Sequence, residues 1–226
     1  MTNTRITHAT PAALYSHVPN RDWEADSNIP LEYRQKCRDI AHQLVFSEAG
    51  SKLNLIFGGG RRNFLPKDQG GKREDGVNLI EKWKELREQK AQSHQVLLNK
   101  DDLENWDNTE FALGLFEMSD MNYILDRNVQ EEPSLDDMVK SAILRLKSDK
   151  NKDGFFLMVE GGMIDKAHHQ NWAKKAFEET LELEKAVQEA LQLTDERETL
   201  IVVTADHSHA MTINGYPKRG NDILGE

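Results

Sequence analysis

The 226-residue chain has one cysteine, Cys37, so it forms no internal disulfide. That thiol is either free or paired with a partner outside these residues. No stretch approaches the roughly 18–20 apolar residues that span a bilayer. The opening residues, Met1-Thr-Asn-Thr-Arg-Ile-Thr-His8, lack the apolar core of a signal peptide. Basic charge is also scarce: Lys plus Arg number 29 against 39 for Asp plus Glu, a net charge of −10. That balance argues against nonspecific binding to nucleic acid or anionic lipid. An anionic substrate stays allowed, because a local arginine or metal reverses the field inside one cleft. Internal repeats and low-complexity segments are absent. Gly58-Gly-Gly60-Arg61-Arg62 lacks the Lys-Ser/Thr of a phosphate-binding P-loop and reads as a turn.

What remains is a polar globular composition, 38% hydrophobic and 30% charged, with a mean hydropathy of −0.70. The length suffices for one core that stands alone. Apolar spacing predicts a helix over 31–45, with Tyr33, Cys37, Ile40, Ala41 and Leu44 inward. Further helices are predicted over 77–90, after Ser134 as N-cap with Asp137 three residues on, and over 173–193. The last should bury Phe177, Leu181, Val187 and Leu191. Leu53–Phe57 and Gln95–Leu98 read as strands, and 66–76 as the most loop-like stretch. Phe155–Val159 and Thr199–Val203 carry no polar interruption, as expected of strands buried on both faces of a parallel sheet. Strands alternating with helices predict an α/β fold in a single domain, 1–226, with 60–132 an elaboration on its core.

Chemistry gathers behind the two apolar strands. The first runs into Glu160-Gly-Gly-Met-Ile-Asp165-Lys-Ala-His168-His169, and the second into Asp206-His207-Ser-His209. Ligands collect at the carboxyl ends of strands in open α/β sheets, so two such ends converge on one site. On a helix, Asp165 and His169 share a face and are able to share an ion. Carboxylate mixed with imidazole suits zinc, whereas a hard oxygen cluster around Glu160 suits magnesium. Near the start, Thr10 reads as a helix N-cap with Pro11 at the first helical position. Arg21 reads as a surface arginine.

Taken together, TRITHATPAALYSH, NRDW, LIFGGGRRNF, GLFEMSDM, FFLMVEGGMIDKAHH and TLIVVTADHSHAMTINGYPKRG closely resemble the animal alkaline phosphatases, in the same order along nearly the whole chain. The resemblance implies a three-layer sandwich with a central, mostly parallel sheet, present here in part. It implies a phosphate monoester hydrolase with two zinc ions and one magnesium, working through a phosphoserine. On that likeness Asp165 and His169 hold one zinc, and Asp206 and His207 the second. Glu160 and Thr10 serve magnesium, with His8 just outside. His209 orients a zinc carboxylate, and Arg21 grips the substrate phosphate. Phe116 (through its carbonyl), Glu117 and Glu132 match positions of a calcium site whose fourth carboxylate would come from a loop shortened here around Pro66–Gly71. Met163 stands where vertebrate members commonly carry arginine.

The family's serine, in an Asp-Ser-Ala setting, has no counterpart here and is expected N-terminal to this segment. A histidine completing the first zinc site is expected beyond Glu226. The chain therefore reads as a fragment, inactive alone, and the resemblance implies a disulfide partner for Cys37 upstream. The resemblance further implies small phosphate monoesters as substrates and a homodimer at full length. It places the whole protein outside the cell, secreted or held by a lipid anchor not contained in these residues. Two other readings stay open: another metal phospho- or sulfo-hydrolase of the superfamily, and a non-catalytic metal-binding protein.

Overall fold

The computed structural model describes every residue except 108, 148–150, 152, 211, 213, 214, 217, 223, 225 and 226. Three short strands, β1 (Leu55–Gly58), β2 (His94–Leu97) and β3 (Phe111–Leu115), form a parallel sheet in the order β1-β3-β2. Leu55 pairs with Ala112 on one side of β3, and His94 with Phe111 on the other. Eight α-helices are described: α1 (Ala9–Ala13), α2 (Ile40–Phe46), α3 (Glu48–Lys52), α4 (Leu79–Gln89), α5 (Lys100–Glu104), α6 (Leu135–Leu146), α7 (Met163–His169) and α8 (Ala173–Leu193). Side chains alternate across the strands, so each face of the sheet has its own core. Ile56, Leu113 and Leu115 pack with Ile6, Tyr15, Leu44, Phe64 and Trp83. Phe57, Leu97 and Ala112 face the other way, onto Leu103, Met138, Ile143 and Ala186. The fold is α/β, as expected. Two of the three strands, β2 and β3, lie inside 60–132, the stretch read as an elaboration. Among the described residues, no helix is long and apolar enough to cross a membrane.

The N-terminal residues run beside β1. Thr2 and Ile6 donate to the carbonyls of Phe57 and Gly59, each at 3.0 Å, and Gly59 donates back to Thr4 at 2.8 Å. Such close approach requires glycine in β1 and just after it. A Cβ on Gly58 would sit 2.8 Å from Ile6 Cγ2, and one on Gly59 only 2.1 Å from the Ser119 carbonyl. The amides of Gly59, Gly60, Arg61 and Arg62 all donate to backbone carbonyls. The segment is a packed turn with no amide left over for a phosphate.

Several predicted elements are corrected. The helix read from residue 31 begins at Ile40, because Asp39 accepts the His42 N–H and caps it there. Tyr33 lies outside that helix and is exposed, while Ile40, Ala41 and Leu44 are buried. Cys37 is free. His8, not Thr10, occupies the N-cap position of α1. Ser134 does cap α6, in a capping box with Asp137. Neither Phe155–Val159 nor Thr199–Val203 forms a strand. Phe156 is 84% exposed and Leu200 88%; neither segment lies within the three-stranded sheet, so neither receives a ladder of hydrogen bonds. Glu160, just past the first segment, bridges to Thr2, and the Met158 carbonyl accepts from the Met1 amino group at 2.7 Å. Helix α8 also turns a different face inward. Ala176, Glu179, Glu182 and Ala186 are buried, while Phe177, Leu181 and Leu191 are exposed. The two glutamates tolerate burial because donors meet them: Arg127 and the Leu135 N–H reach Glu182, and the Ile124 N–H reaches Glu179.

The loop-like stretch 66–76 is pinned by Arg73, whose side chain is fully buried. Its guanidinium donates to Asp39 at 2.9 and 3.2 Å and to Asp75 at 3.1 and 2.5 Å. Asp39 is also the cap of α2, so one cation joins loop and helix. Removing it leaves a buried carboxylate unpaired. Arg73→Met should lower stability by about 3 kcal/mol, read as a fall in the urea midpoint. A loss below roughly 1 kcal/mol, the level of an exposed pair, would show the network to be dispensable.

Candidate metal centre

Helix α7 carries Asp165 in its first turn and His169 in its last. The i,i+4 spacing brings His169 Nε2 within 3.4 Å of Asp165 Oδ1. The segment after residue 203 adds two more imidazoles to the same oxygen, His207 Nε2 at 3.6 Å and His209 Nε2 at 2.7 Å. His207 also lies 3.3 Å from Asp206, whose side chain is largely exposed. The His209 ring stacks on His168 at 4.9 Å and meets His169 edge-on at 5.0 Å. One ligand atom each from Asp165, His169 and His209 falls within 4.8 Å of the others.

These separations divide by chemistry. Two ligands about 2.0 Å from one tetrahedral zinc lie roughly 3.3 Å apart. The His169 and His207 distances to Asp165 match that spacing, whereas 2.7 Å is the length of a charge-assisted hydrogen bond. His209 thus bonds the carboxylate directly. Burial pushes the Asp165 carboxyl up, but the bond from His209 and the nearby His169, His209 and His207 outweigh it and hold it below the ordinary range. A carboxylate kept ionised among neutral-capable imidazoles is a donor set that fits zinc.

Glu160 belongs to a separate oxygen cluster. Its Oε2 accepts from Thr2 Oγ1 at 2.5 Å and from Thr4 Oγ1 at 3.4 Å. Thr10, expected beside it, is exposed on α1, and Thr2 and Thr4 take the hydroxyl positions around this carboxylate. Nothing in the opening motif distinguished those threonines, because only the alignment with β1 turns them toward Glu160.

Beside the Asp165 cluster lies a cleft of about 380 Å³ lined by Arg5, His8, Arg21, Asp22, Glu24, Asp165, Lys166 and His169. Arg5 is already committed, bonding Glu24 and Asp120 through its guanidinium. Arg21 is exposed and forms no ion pair among the described residues; its contact is His8 Nε2 at 3.4 Å. Lys166 Nζ stands 3.5 Å from the same nitrogen. Burial, followed by Lys166 and Arg5, lowers the His8 pKa against the pull of Asp120 and Glu24. His8 therefore favours its neutral form at neutral pH, and its buried Nδ1 has no partner among the described residues. Arg5, Glu24, Asp120 and Lys166 were not singled out from sequence, although Lys166 sits inside the Asp165–His169 motif.

The residues matched to a calcium site come together in part. Asn122 donates to both oxygens of buried Glu132, at 2.8 and 2.7 Å, and reaches Glu117 Oε1 at 3.5 Å. Burial, with Glu117 adding to it, raises the Glu132 carboxyl above its usual value. Phe116 is buried at the end of β3, its ring edge-on to Phe57.

A family model described as alkaline phosphatase matches residues 1–226. The chain is 45% identical to the membrane-bound alkaline phosphatase of Bombyx mori, with all of this chain and 42% of that protein aligned. It is 43% identical to the human tissue-nonspecific isozyme, again over its whole length and 45% of that protein. The chain thus spans under half the length of these curated relatives. Among solved structures, Thermus thermophilus alkaline phosphatase superposes with a TM-score of 0.66 at 29% identity, covering 88% of this chain and 36% of that one. The enzyme from the Antarctic bacterium TAB5 shares the fold at a TM-score of 0.60 and 22% identity, over 84% and 46%. A variant of the TAB5 enzyme has been solved with magnesium bound.

If the Asp165 cluster binds metal, His209→Ala should weaken zinc binding about ten- to hundredfold by releasing that carboxylate. Calorimetric titration of metal-free protein reads this, and unchanged affinity would remove His209 from the centre.

Proposed function

The chain belongs to the alkaline phosphatase family, and from that premise we propose that the protein containing it hydrolyses phosphate monoesters. The observation that carries the reading is one carboxylate, Asp165, faced by three imidazoles at the edge of a cleft holding an arginine with no ion pair among the described residues. Two zinc ions and one magnesium are the proposed metals. Asp165 with His169, and Asp206 with His207, would hold zinc, and Glu160 would hold magnesium with threonine hydroxyls around it. Bound there, the metals supply positive charge that activates an attacking oxygen and steadies a leaving one.

The chain's own residues prepare the rest. Arg21 presents a planar fork suited to two phosphate oxygens, and among the described residues no carboxylate competes for it. His8, neutral and hydrogen bonded from the Arg21 side, steers that guanidinium without repelling it. Arg5 bridges Glu24 and Asp120, with Lys166 as a second cation 3.7 Å from Asp120, and together they fix the cleft wall. The nucleophile is a serine outside this chain, which has no Asp-Ser-Ala, and the proposed route passes through its phosphoester. Glu117, Glu132 and the Phe116 carbonyl would serve a calcium ion. At full length the protein is proposed to be a homodimer outside the cell, secreted or lipid-anchored.

Full-length protein should turn over p-nitrophenyl phosphate in preference to bis(p-nitrophenyl) phosphate and p-nitrophenyl sulfate, lose activity to a chelator and regain it with zinc and magnesium. The 226 residues alone should show no turnover. Arg21→Ala should lower kcat/KM about ten- to hundredfold, the worth of one or two charged hydrogen bonds. A preference for the diester or the sulfate, or activity indifferent to chelation, would overturn the reading.

A further inference from the structure

Helix α7 carries the metal cluster yet does not cap itself. Its N-cap, Gly162, offers no side chain. None could be added, since a Cβ there would lie 2.7 Å from Thr4 Cγ2. The first free amide of the helix, Met163 N–H, is instead taken by a distant residue: Asn3 Oδ1 accepts it at 3.0 Å. Asn3 is 2% exposed, and its backbone carbonyl is held by the Met121 N–H at 3.1 Å. Its remaining group, Nδ2, donates to Glu179 Oε2 at 3.1 Å. The other Glu179 oxygen accepts the Ile124 N–H at 2.7 Å.

This chain of bonds has a fixed polarity. The Met163 N–H only donates, so Asn3 must turn its oxygen toward Met163 and its NH₂ toward Glu179. The reversed amide would set oxygen against oxygen at one end and donor against donor at the other. We propose that Glu179 is a positioning residue for the metal centre: through Asn3 it sets where α7 begins, and so where Asp165 and His169 stand. The proposal rests on the reading that Asp165 and its histidines hold zinc.

Other properties of Glu179 agree. It is 1% exposed, on the inner face of α8, a helix whose packing needs alone would favour an apolar residue there. Burial pushes its carboxyl up to about 7, with Glu182 adding to this, while the Ile124 N–H, Arg127 and Asn3 hold it down. Keeping so unfavourable a group is explained by the acceptor pair it supplies. Arg127 bonds Glu182, and among the described residues no cation pairs with Glu179 directly.

The test uses full-length protein, metal-free, titrated with Zn²⁺ alone, together with hydrogen exchange of the α7 amides before metal is added. Glu179→Gln places a donor against Asn3 or Ile124 and should weaken zinc binding about tenfold, with lost protection at the start of α7. Asn3→Asp combined with Glu179→Gln reverses the bond between these two side chains at the same net charge. The carboxylate at position 3 accepts from Met163 and from the new amide, whose oxygen accepts from Ile124. That double variant should recover both affinity and protection to within about threefold. Unchanged zinc affinity and protection in Glu179→Gln would overturn the proposal, as would a double variant no better than the single one. Should the single variant fail to fold, the double variant decides alone. Wild-type protein that binds no zinc would instead sink the metal reading, and the α7 exchange pattern would still judge the positioning role.

Discussion

The hydrogen bonds that lay residues 2–6 alongside β1 hold together parts of the molecule distant in sequence. From that one segment, Thr2 and Thr4 turn toward Glu160, Asn3 reaches the start of α7, and Arg5 binds Glu24 and Asp120. The same segment leads into His8 and α1 at the cleft. Its approach depends on Gly58, where a Cβ would strike the Thr2 and Thr4 carbonyls. A slip of this segment by one residue would reverse every side chain and dissolve the oxygen cluster, the α7 cap and the cleft wall together.

A second constraint is the handling of buried charge. The chain carries ten more acidic than basic residues, yet several of its acids lie inside. Each is met by donors fixed elsewhere in the fold: Asp39 by Arg73 and a helix amide, Glu182 by Arg127 and the Leu135 N–H, Glu24 by Arg5, Thr7 and Asn63. Glu24 shows the balance, since burial raises its carboxyl while the bonds from Arg5 and Thr7 bring it below the ordinary value. Leaving any of these acids without its donors would cost more than the pairing gains, so they tie loops to helices with little tolerance for substitution. Arg21 is the contrast. It forms no ion pair among the described residues and lies at the cleft, beside His8.

Much was readable from residue order alone. The α/β character, helices α4 and α6 with the Ser134 cap, strands β1 and β2, and the Asp165–His169 pairing all follow from local periodicity and capping. These features depend on neighbours within a turn or two, which the sequence lists directly. The motif run from Thr4 to Gly220 also carried the family, because so many residue identities at fixed spacing do not recur together otherwise. Strand β3 passed unnoticed: Phe111-Ala-Leu-Gly-Leu115 is short and glycine is a poor strand former, and only the fold brings Phe57 and Phe116 into the space beside Gly114.

Tertiary structure decided everything that depends on what lies opposite. Phe155–Val159 and Thr199–Val203 have the composition of buried strands, but a strand exists only where a neighbour supplies the ladder. Helix α8 offers two apolar stripes, and donors from Arg127, Ile124 and Leu135 select the one containing glutamates. Thr2, Thr4 and Asn3 look like ordinary polar residues until β1 aligns them with Glu160 and α7. Sequence by itself therefore determined which chemical groups are present and how each element is locally built. Their convergence came only from long-range pairing, since hydrogen bonds between residues some 160 positions apart leave no periodic trace in the chain.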